Sequence, residues 1–365
     1  MKPMAIAQLL GLVLLVKGSG RGGVWVSQGE GVTWITIDGD SAGQRVDNFL
    51  IRHWKGVPRS HIYQLIRKGQ IRLDKKRVKA ATKLPTGGQL RLPPMLLVCR
   101  EQGSKTELDD TLVARLQRCV LFEDNAIVVL NKPAGWAVHG GSGISIGMIE
   151  ALRLARPQAR SLELVHRLDR ETSGCLVIAK KRRVLTALHE AFRDRVVEKR
   201  YVALVHGDWP RRKTVVKSPL YRYVAANGER FVRVDHEWGQ AAHTELSVAE
   251  RFGAATLLWA EPKTGRTHQI RVHCASTGFP IVGDKKYTDL PRPSWARPLK
   301  GRLFLHCSSL TLPRIEGADA WPSFEAPFED RLEKTLLMLR QDHACLDHAD
   351  KGHADNQRIN KKTNK

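Results

Sequence analysis

What this chain is short of narrows its function before anything it contains. Its six cysteines (Cys99, Cys119, Cys175, Cys274, Cys307, Cys345) form no C-x-x-C pair. They read as reduced thiols of a cytoplasmic protein and not as a disulfide framework or zinc site. His343, Cys345, His348 and His353 crowd near the C-terminus, but their spacing fits no zinc pattern, so we expect no metal. Nucleotide-binding loops are missing too. Aromatic residues make up only 6% of the chain, which is poor for a sugar-binding cleft. Lys2 and the apolar run Met4 to Val16 have the charge and length of a signal-peptide core, with Gly18-Ser19-Gly20 as cleavage residues, yet the run is too short to cross a bilayer as a helix. No internal repeat or long low-complexity segment is visible. Acidic residues are the most telling shortage. Against 60 Lys and Arg stand 37 Asp and Glu, a net charge of +23, and such an excess selects for a polyanionic partner: RNA, DNA or an anionic membrane surface.

What is present suggests two domains with tails. At 365 residues, 42% of them hydrophobic, the chain is long enough to bury a core. Residues 1–28 are set aside as an N-terminal extension, either an upstream start or a disordered segment. Trp34 to Ile37 alternates like a strand. From Gly43 the period becomes helical: Val46, Phe49 and Leu50 share one face, and Ser60 caps a second helix carrying Ile62, Leu65 and Ile66, which Gly69 ends. Short strands follow at Ile71 to Leu73 and Gln89 to Leu92. Over residues 42–92, thirteen Lys and Arg stand against two Asp, a net +11. The apolar residues take the core positions, so the charge lies outside. Arg59, Arg67, Lys68, Arg72, Lys75, Lys76 and Arg77 then form one basic surface suited to the phosphates of folded RNA. We read 93–117 as a linker, 118–342 as the larger domain and 343–365 as a disordered basic tail.

In the larger domain the patterning gives strands at Val120 to Phe122, Ile127 to Leu130 and Trp136 to Val138, with Lys132-Pro133 in the turn between the last two. A helix from Ser145 is stopped by Pro157. Further strands fall at Cys175 to Ala179, Tyr201 to Val205 and Arg302 to His306, with a hairpin over 244–260 and helices at Val184 to Phe192 and Phe328 to Arg340. Strands outnumber helices and adjoin through hairpins. The fold class expected is therefore α+β, with a largely antiparallel mixed β-sheet preceded by a small α/β module.

One carboxylate looks prepared for chemistry. Asp169 sits in Leu164 to Lys180 (LVHRLDRETSGCLVIAK), where a charged loop feeds an apolar strand. Thr172, Ser173 and Gly174 are short turn formers that fix such a loop, and the flanking Arg167 and Arg170 keep a carboxylate charged while attracting phosphates. The plain alternative is a surface salt-bridge cluster. Lys132 reads equally as a phosphate contact and as a turn lysine.

The segment H-R-L-D-R-E-T-S-G resembles the central motif of the pseudouridine synthase family that includes the ribosomal large-subunit enzymes. Asn131-Lys132-Pro133-Ala134-Gly135 and Arg266-Thr267-His268-Gln269-Ile270-Arg271-Val272-His273 match two further segments in the same order. Residues 42–92 are similar to the S4 RNA-binding domain, through R-S-x-I-x-x-L-I-R-x-G-x-I. The resemblance implies an isomerase that flips uridines out of 23S ribosomal RNA, free or in an assembling large subunit, breaks N1–C1′ and joins C5 to C1′. It implies catalytic roles for Asp169, for Tyr201 stacked on the uracil and for Arg271 paired with Asp169. Arg167 would fill the gap left by the base, Ile270 would wall the pocket, and Lys132 would bind substrate. The expected protein is cytoplasmic, monomeric and without affinity for membrane. Two readings compete: a non-catalytic RNA-binding or ribosome-assembly factor, and a retaining glycosidase, for which Glu171 is the only second carboxylate on the loop.

Overall fold

Ile127 to Leu130 and Cys175 to Ala179 are apolar runs without a polar interruption, and both are buried at 0 to 1% exposure, as strands covered on both faces must be. The computed structural model describes residues 13–15, 24–28, 31–39, 41–54, 57, 59–94, 96–100, 110–140, 146–156, 158–159, 162–226, 228–316 and 318–343. They fall in two units, 1–109 and 110–365.

In the second unit a ten-stranded sheet runs, in spatial order, through Val215–Val216, Thr244–Arg251, Ala255–Pro262, Glu198–His206, Leu305–Thr311, Ser173–Ala179, Ile127–Lys132 and Val120–Glu123. Glu163–Leu164 and Phe324–Glu325 pair at its side. Every pairing is antiparallel except that of Ser173–Ala179 with Leu305–Thr311. That parallel seam divides the sheet into two halves, each with its own core. Helices Met148–Ala155 and Arg182–Arg193 bury Ile149, Leu152, Leu185 and Leu188 on one half. The other half carries helix Gln269–Ser276 and a helical stretch over 330–343, whose Leu332, Leu336 and Leu339 are buried as their spacing predicts. Each such side chain contributes about 1.5–3 kcal/mol on burial.

The seam dictates its own residue. Gly174 has φ +107°, and a Cβ there would lie 2.1 Å from the Cys307 carbonyl oxygen of the neighbouring strand. Only glycine lets the two backbones meet, and the Asp169 loop is fixed to the seam by this contact.

Two expectations fail here. Trp136 to Val138 is not a strand: the carbonyls of Ala137 and Val138 accept the Met148 and Ile149 N–H groups that open the next helix, and Trp136 O is taken by the Lys132 ammonium. With those acceptors occupied, no ladder forms. Within the expected linker, Leu96–Arg100 is a strand and Asp110–Arg118 a helix that buries Leu116 at 2% exposure.

In the first unit, helices Val46–His53 and Arg59–Arg67 pack on a sheet ordered Thr33–Thr36, Gln89–Leu92, Arg72–Leu73, Lys76–Arg77. Val46, Phe49, Leu50, Ile62, Leu65 and Ile66 are buried as expected. The second helix begins one residue before Ser60, which is therefore not its cap. A separate three-stranded sheet joins Val13–Leu15, Val24–Gln28 and Leu96–Arg100, so parts of the expected extension are paired. The rest of that extension, residues 141–145 and the tail from 344 lie outside the described residues. Among the described residues no helix is long and apolar enough to cross a membrane.

Candidate active site

The Asp169 loop is held from below by hydrogen bonds running in one direction. Arg302 donates to Ser173 Oγ at 2.5 Å, and Ser173 Oγ lies 2.7 Å from His306 Nδ1. Burial pulls the His306 pKa down to about 4, so the ring is neutral. It donates from Nε2 to the Ala326 carbonyl at 2.9 Å and accepts from Ser173 at Nδ1. Arg302 is also paired with Glu329 at 3.0 Å. Three buried side chains, Arg302, Ser173 and His306, are thus linked beneath the loop and tied to the part-exposed Glu329.

From the side, the loop is fastened to the Asn131–Gly135 turn. Lys132 is completely buried, and its ammonium donates to the carbonyls of Pro133 at 3.0 Å, Trp136 at 2.9 Å and Arg170 at 3.0 Å. The Gly135 N–H donates to the same Arg170 carbonyl at 2.8 Å. Burial draws the Lys132 pKa down to about 7 against the pull of Glu171, Asp169 and Glu329. Lys132 is accordingly not the substrate contact expected from the sequence. All three of its donors are spent on backbone, and no side-chain surface is left.

Across the seam, helix Gln269–Ser276 supplies the opposing groups. Gln269 locks its start: Oε1 accepts from Thr264 Oγ1 at 2.6 Å, while Nε2 donates to His243 O at 3.0 Å and Thr244 Oγ1 at 2.9 Å. Arg271, 6% exposed, is bound bidentately by Asp284 at 2.8 and 2.7 Å. Its other nitrogen lies 3.9 Å from Asp169 Oδ2. The expected Arg271 to Asp169 pairing therefore exists as a longer contact, and the partner that holds the guanidinium is Asp284, which sequence reasoning missed. Burial alone would depress the Arg271 pKa, but the hydrogen bonds and charge of Asp284, with the charge of Asp169, leave it raised.

Tyr201 comes from strand Glu198–His206, where the register against Leu305–Thr311 shifts between Arg200 and Tyr201. A bulge of this kind re-aims a side chain. Tyr201 touches both core clusters, and burial raises its phenol pKa well above 10, so it is a neutral ring. Asp169, Arg167, Tyr201, Ile270 and Arg271 line one pocket. It opens into a cleft of about 1380 Å³ that Lys199, Arg222 and Arg230 also line. The structure thus brings together five of the six residues expected at the site. The Asp169 side chain is 29% exposed at the mouth of this cleft. A carboxylate so placed, with a fixed cation on one oxygen, is able to attack an electrophilic carbon or stabilise positive charge on it.

His268 and Tyr287 are two further residues not singled out beforehand. His268 Nε2 lies 3.9 Å from Asp169 Oδ2 and its Nδ1 2.5 Å from Tyr287 Oη. The signal for Asp284 was an acid directly after the apolar Ile281-Val282-Gly283. In the first unit Arg59, Arg67, Lys68, Arg72, Lys75, Lys76 and Arg77 are all exposed. Among the described residues no group of three His, Cys, Asp or Glu is placed to hold a metal.

Comparison with known proteins agrees with this geometry. Residues 126–276 match the RNA pseudouridylate synthase family, and residues 44–90 match the S4 domain. The chain is 46% identical over 314 residues to ribosomal large subunit pseudouridine synthase C of Yersinia pestis, covering 85% of this chain and 96% of that protein. It is 46% identical over 309 residues to the protein of the same name from Escherichia coli K12, covering 84% and 96%. Among solved structures, human RNA pseudouridylate synthase domain containing 4 superposes with a TM-score of 0.53 at 29% identity, covering 63% of this chain and 96% of that one. With the carboxylate, arginine and tyrosine gathered at the seam and relatives matched over most of their length, the chain belongs to the RNA pseudouridylate synthase family.

Proposed function

We propose that this enzyme converts uridines of 23S ribosomal RNA to pseudouridine in the cytoplasm, as a monomer without cofactor, with residues 118–342 carrying the chemistry and residues 42–92 holding folded RNA. The observation that supports it most is Asp169 itself: part-exposed in a cleft, 3.9 Å from the Arg271 guanidinium, beside an aromatic ring and an apolar wall. A stacked base cannot be reached, so the uridine is flipped. Tyr201 stacks on the extruded uracil, Ile270 walls the pocket, and the exposed Arg167 fills the space in the RNA. Asp169 then lies beside C1′, where N1–C1′ breaks, the uracil turns, C5 joins C1′, and the proton on C5 is lost while N1 gains one. The atoms balance without oxidant or energy source.

The basic surface of the first unit is suited to the phosphates of folded RNA. The part of the reading drawn from the relatives' names is the substrate, large-subunit ribosomal RNA.

The test is Asp169→Asn with folding verified by circular dichroism. Pseudouridine is read as carbodiimide-dependent reverse-transcription stops on 23S rRNA from a deletion strain carrying each allele. Wild type restores the stops and the variant does not; stops restored by Asp169→Asn would remove the carboxylate from the mechanism. Stops unchanged by the deletion itself would favour a pure RNA binder. In parallel, Arg72→Gln/Lys75→Gln/Lys76→Gln is expected to weaken rRNA binding and flatten its salt dependence by about one unit of slope per lost phosphate contact. An unaltered slope would take the RNA away from this face.

A further inference from the structure

His268 occupies a position a histidine seldom takes. Its backbone has φ +54° and ψ +19°, left-handed, immediately before helix Gln269–Ser276, and it is held there by Gln269 and by the Val272 N–H donated to the His268 carbonyl. Non-glycine residues in this region cluster at functional sites when the surroundings over-determine them. Nothing in the capping of the helix uses the side chain.

What the side chain does use is Tyr287. The Val232 N–H donates to Tyr287 Oη at 3.2 Å, so that oxygen acts as an acceptor toward the backbone and its own hydrogen is available to His268 Nδ1, 2.5 Å away. An imidazole that accepts at Nδ1 carries its proton on Nε2. That nitrogen faces Asp169 Oδ2 at 3.9 Å, the same oxygen and the same distance as Arg271. We propose that His268 is a positioning residue for Asp169: held as the Nε2–H tautomer by Tyr287, it closes together with Arg271 on Oδ2 when RNA binds, leaving Oδ1 directed at the sugar.

The inference rests on the reading of Asp169 as the group beside C1′. Both contacts are longer than a hydrogen bond in the free protein, and such contacts tighten in the substrate complex. Two donors on one carboxylate oxygen fix the rotation of the group. The donors are deliberately unlike: Arg271 brings charge, while an uncharged imidazole orients the carboxylate without adding a second cation that would weaken its attack. The charged and titratable groups facing the imidazole are Asp169, Arg271, Asp284, Lys286 and Tyr287. Burial lowers its pKa most, with Arg271 and Lys286 acting in the same sense against the carboxylates. Val232 lies in strand Arg230–Val234 of the hairpin lining the cleft, so the Tyr287 hydroxyl also joins a wall of the RNA cleft to the orientation of Asp169.

Two variants test this on an rRNA transcript. His268→Asn retains a residue tolerant of left-handed backbone and loses the reach to Asp169. It is expected to lower kcat by roughly 10- to 100-fold, the scale of misplacing a reacting group, with KM unchanged and wild-type melting temperature. Tyr287→Phe keeps the ring under the Arg271 guanidinium, 5.0 Å from its centroid, and removes only the hydroxyl. Losing a hydrogen bond to the neutral imidazole raises its pKa, so the acid limb of kcat/KM moves to higher pH, and His268→Asn lacks that limb altogether. Wild-type kcat in His268→Asn, or an unmoved limb in Tyr287→Phe, overturns the inference. If His268→Asn does not fold, the limb in Tyr287→Phe decides. Asp169→Asn is measured alongside: its inactivity with full activity of His268→Asn overturns the inference alone, whereas product from Asp169→Asn overturns the site reading and the inference with it.

Discussion

Asp284→Asn is the most informative perturbation of the site's scaffold, because it alters a buried side chain outside the pocket that Asp169 and Tyr201 line. Asp284 is 2% exposed and Arg271 6%, and two hydrogen bonds of 2.8 and 2.7 Å join them. Removing one partner of a buried ion pair leaves the other charge desolvated, which costs about 3–5 kcal/mol. The Lys286 N–H, now bonded to Asp284 Oδ1, keeps an amide oxygen as acceptor. Asp169, 3.9 Å away and partly exposed, offsets some of this, so the lower end is expected, about 3 kcal/mol. For a domain of this size that lowers the melting temperature by roughly 6–12 °C at about 2–4 °C per kcal/mol. Differential scanning calorimetry of the full-length protein reads the shift, and single-turnover pseudouridine formation reads the consequence. On the reading proposed for Asp169, the freed guanidinium swings onto that carboxylate and occupies the oxygen directed at C1′, so kcat is expected to fall more than KM rises. Replacing both partners, Arg271→Met with Asp284→Leu, is expected to recover most of the stability and none of the activity, since an apolar pair avoids the desolvation cost. A melting temperature within about 2 °C of wild type for Asp284→Asn alone would refute the claim that this pair anchors the arginine.

The same pair marks where sequence reading stops. Tyr201, Ile270 and Arg271 are legible only through the family resemblance of their segments, whereas Asp169 is legible because its segment is short and self-contained, a charged loop running into an apolar strand. The core was legible for the same reason, since period-two and helical spacing report burial locally. What was not legible depends on contacts between distant segments. Asp284 lies 13 positions beyond Arg271 and Glu329 lies 27 beyond Arg302, and no periodicity links them. Lys132 reads equally as a phosphate contact and as a turn lysine from its neighbours, yet the fold closes three carbonyls around it, one of them from Arg170. Strands Leu220–Val224 and Arg230–Val234 were overlooked although Ala226-Asn227-Gly228 between two alternating runs is a hairpin signal. The helix over Asp110–Arg118 was hidden by the acidic stretch before it, which looked like linker.

Lys132 and His306 supply the remaining expectations. Lys132→Met takes the ammonium donor from the Pro133 and Trp136 carbonyls, while Arg170 O keeps the Gly135 N–H, and at about 1–3 kcal/mol for each group left unmade the protein is expected to lose stability while its affinity for RNA is unchanged. A loss of affinity with normal melting temperature would restore the substrate-contact reading. His306 governs acid stability, and the direction follows from linkage. Its folded pKa of about 4 lies below the ordinary 6.5 because burial disfavours the charged ring. Between these values the unfolded chain binds more protons than the native one, so stability rises with pH through this window. It is fully present above about pH 6.5 and is lost progressively as pH falls toward 4. A displacement of this size corresponds to at most about 3 kcal/mol. The His306 ring cannot charge without surrendering the Ser173 hydrogen at Nδ1, and Ser173 is the residue through which the Arg302 bond reaches the Asp169 loop. Acid should therefore loosen the loop before it unfolds the sheet, so that pseudouridine formation fails at a higher pH than tryptophan fluorescence does. His306→Gln retains a donor for Ala326 O and an acceptor for Ser173 but has no proton to gain. It is expected to flatten the stability profile between pH 4 and 6.5, and an acid limb of wild-type steepness in that variant would assign the titration to another group.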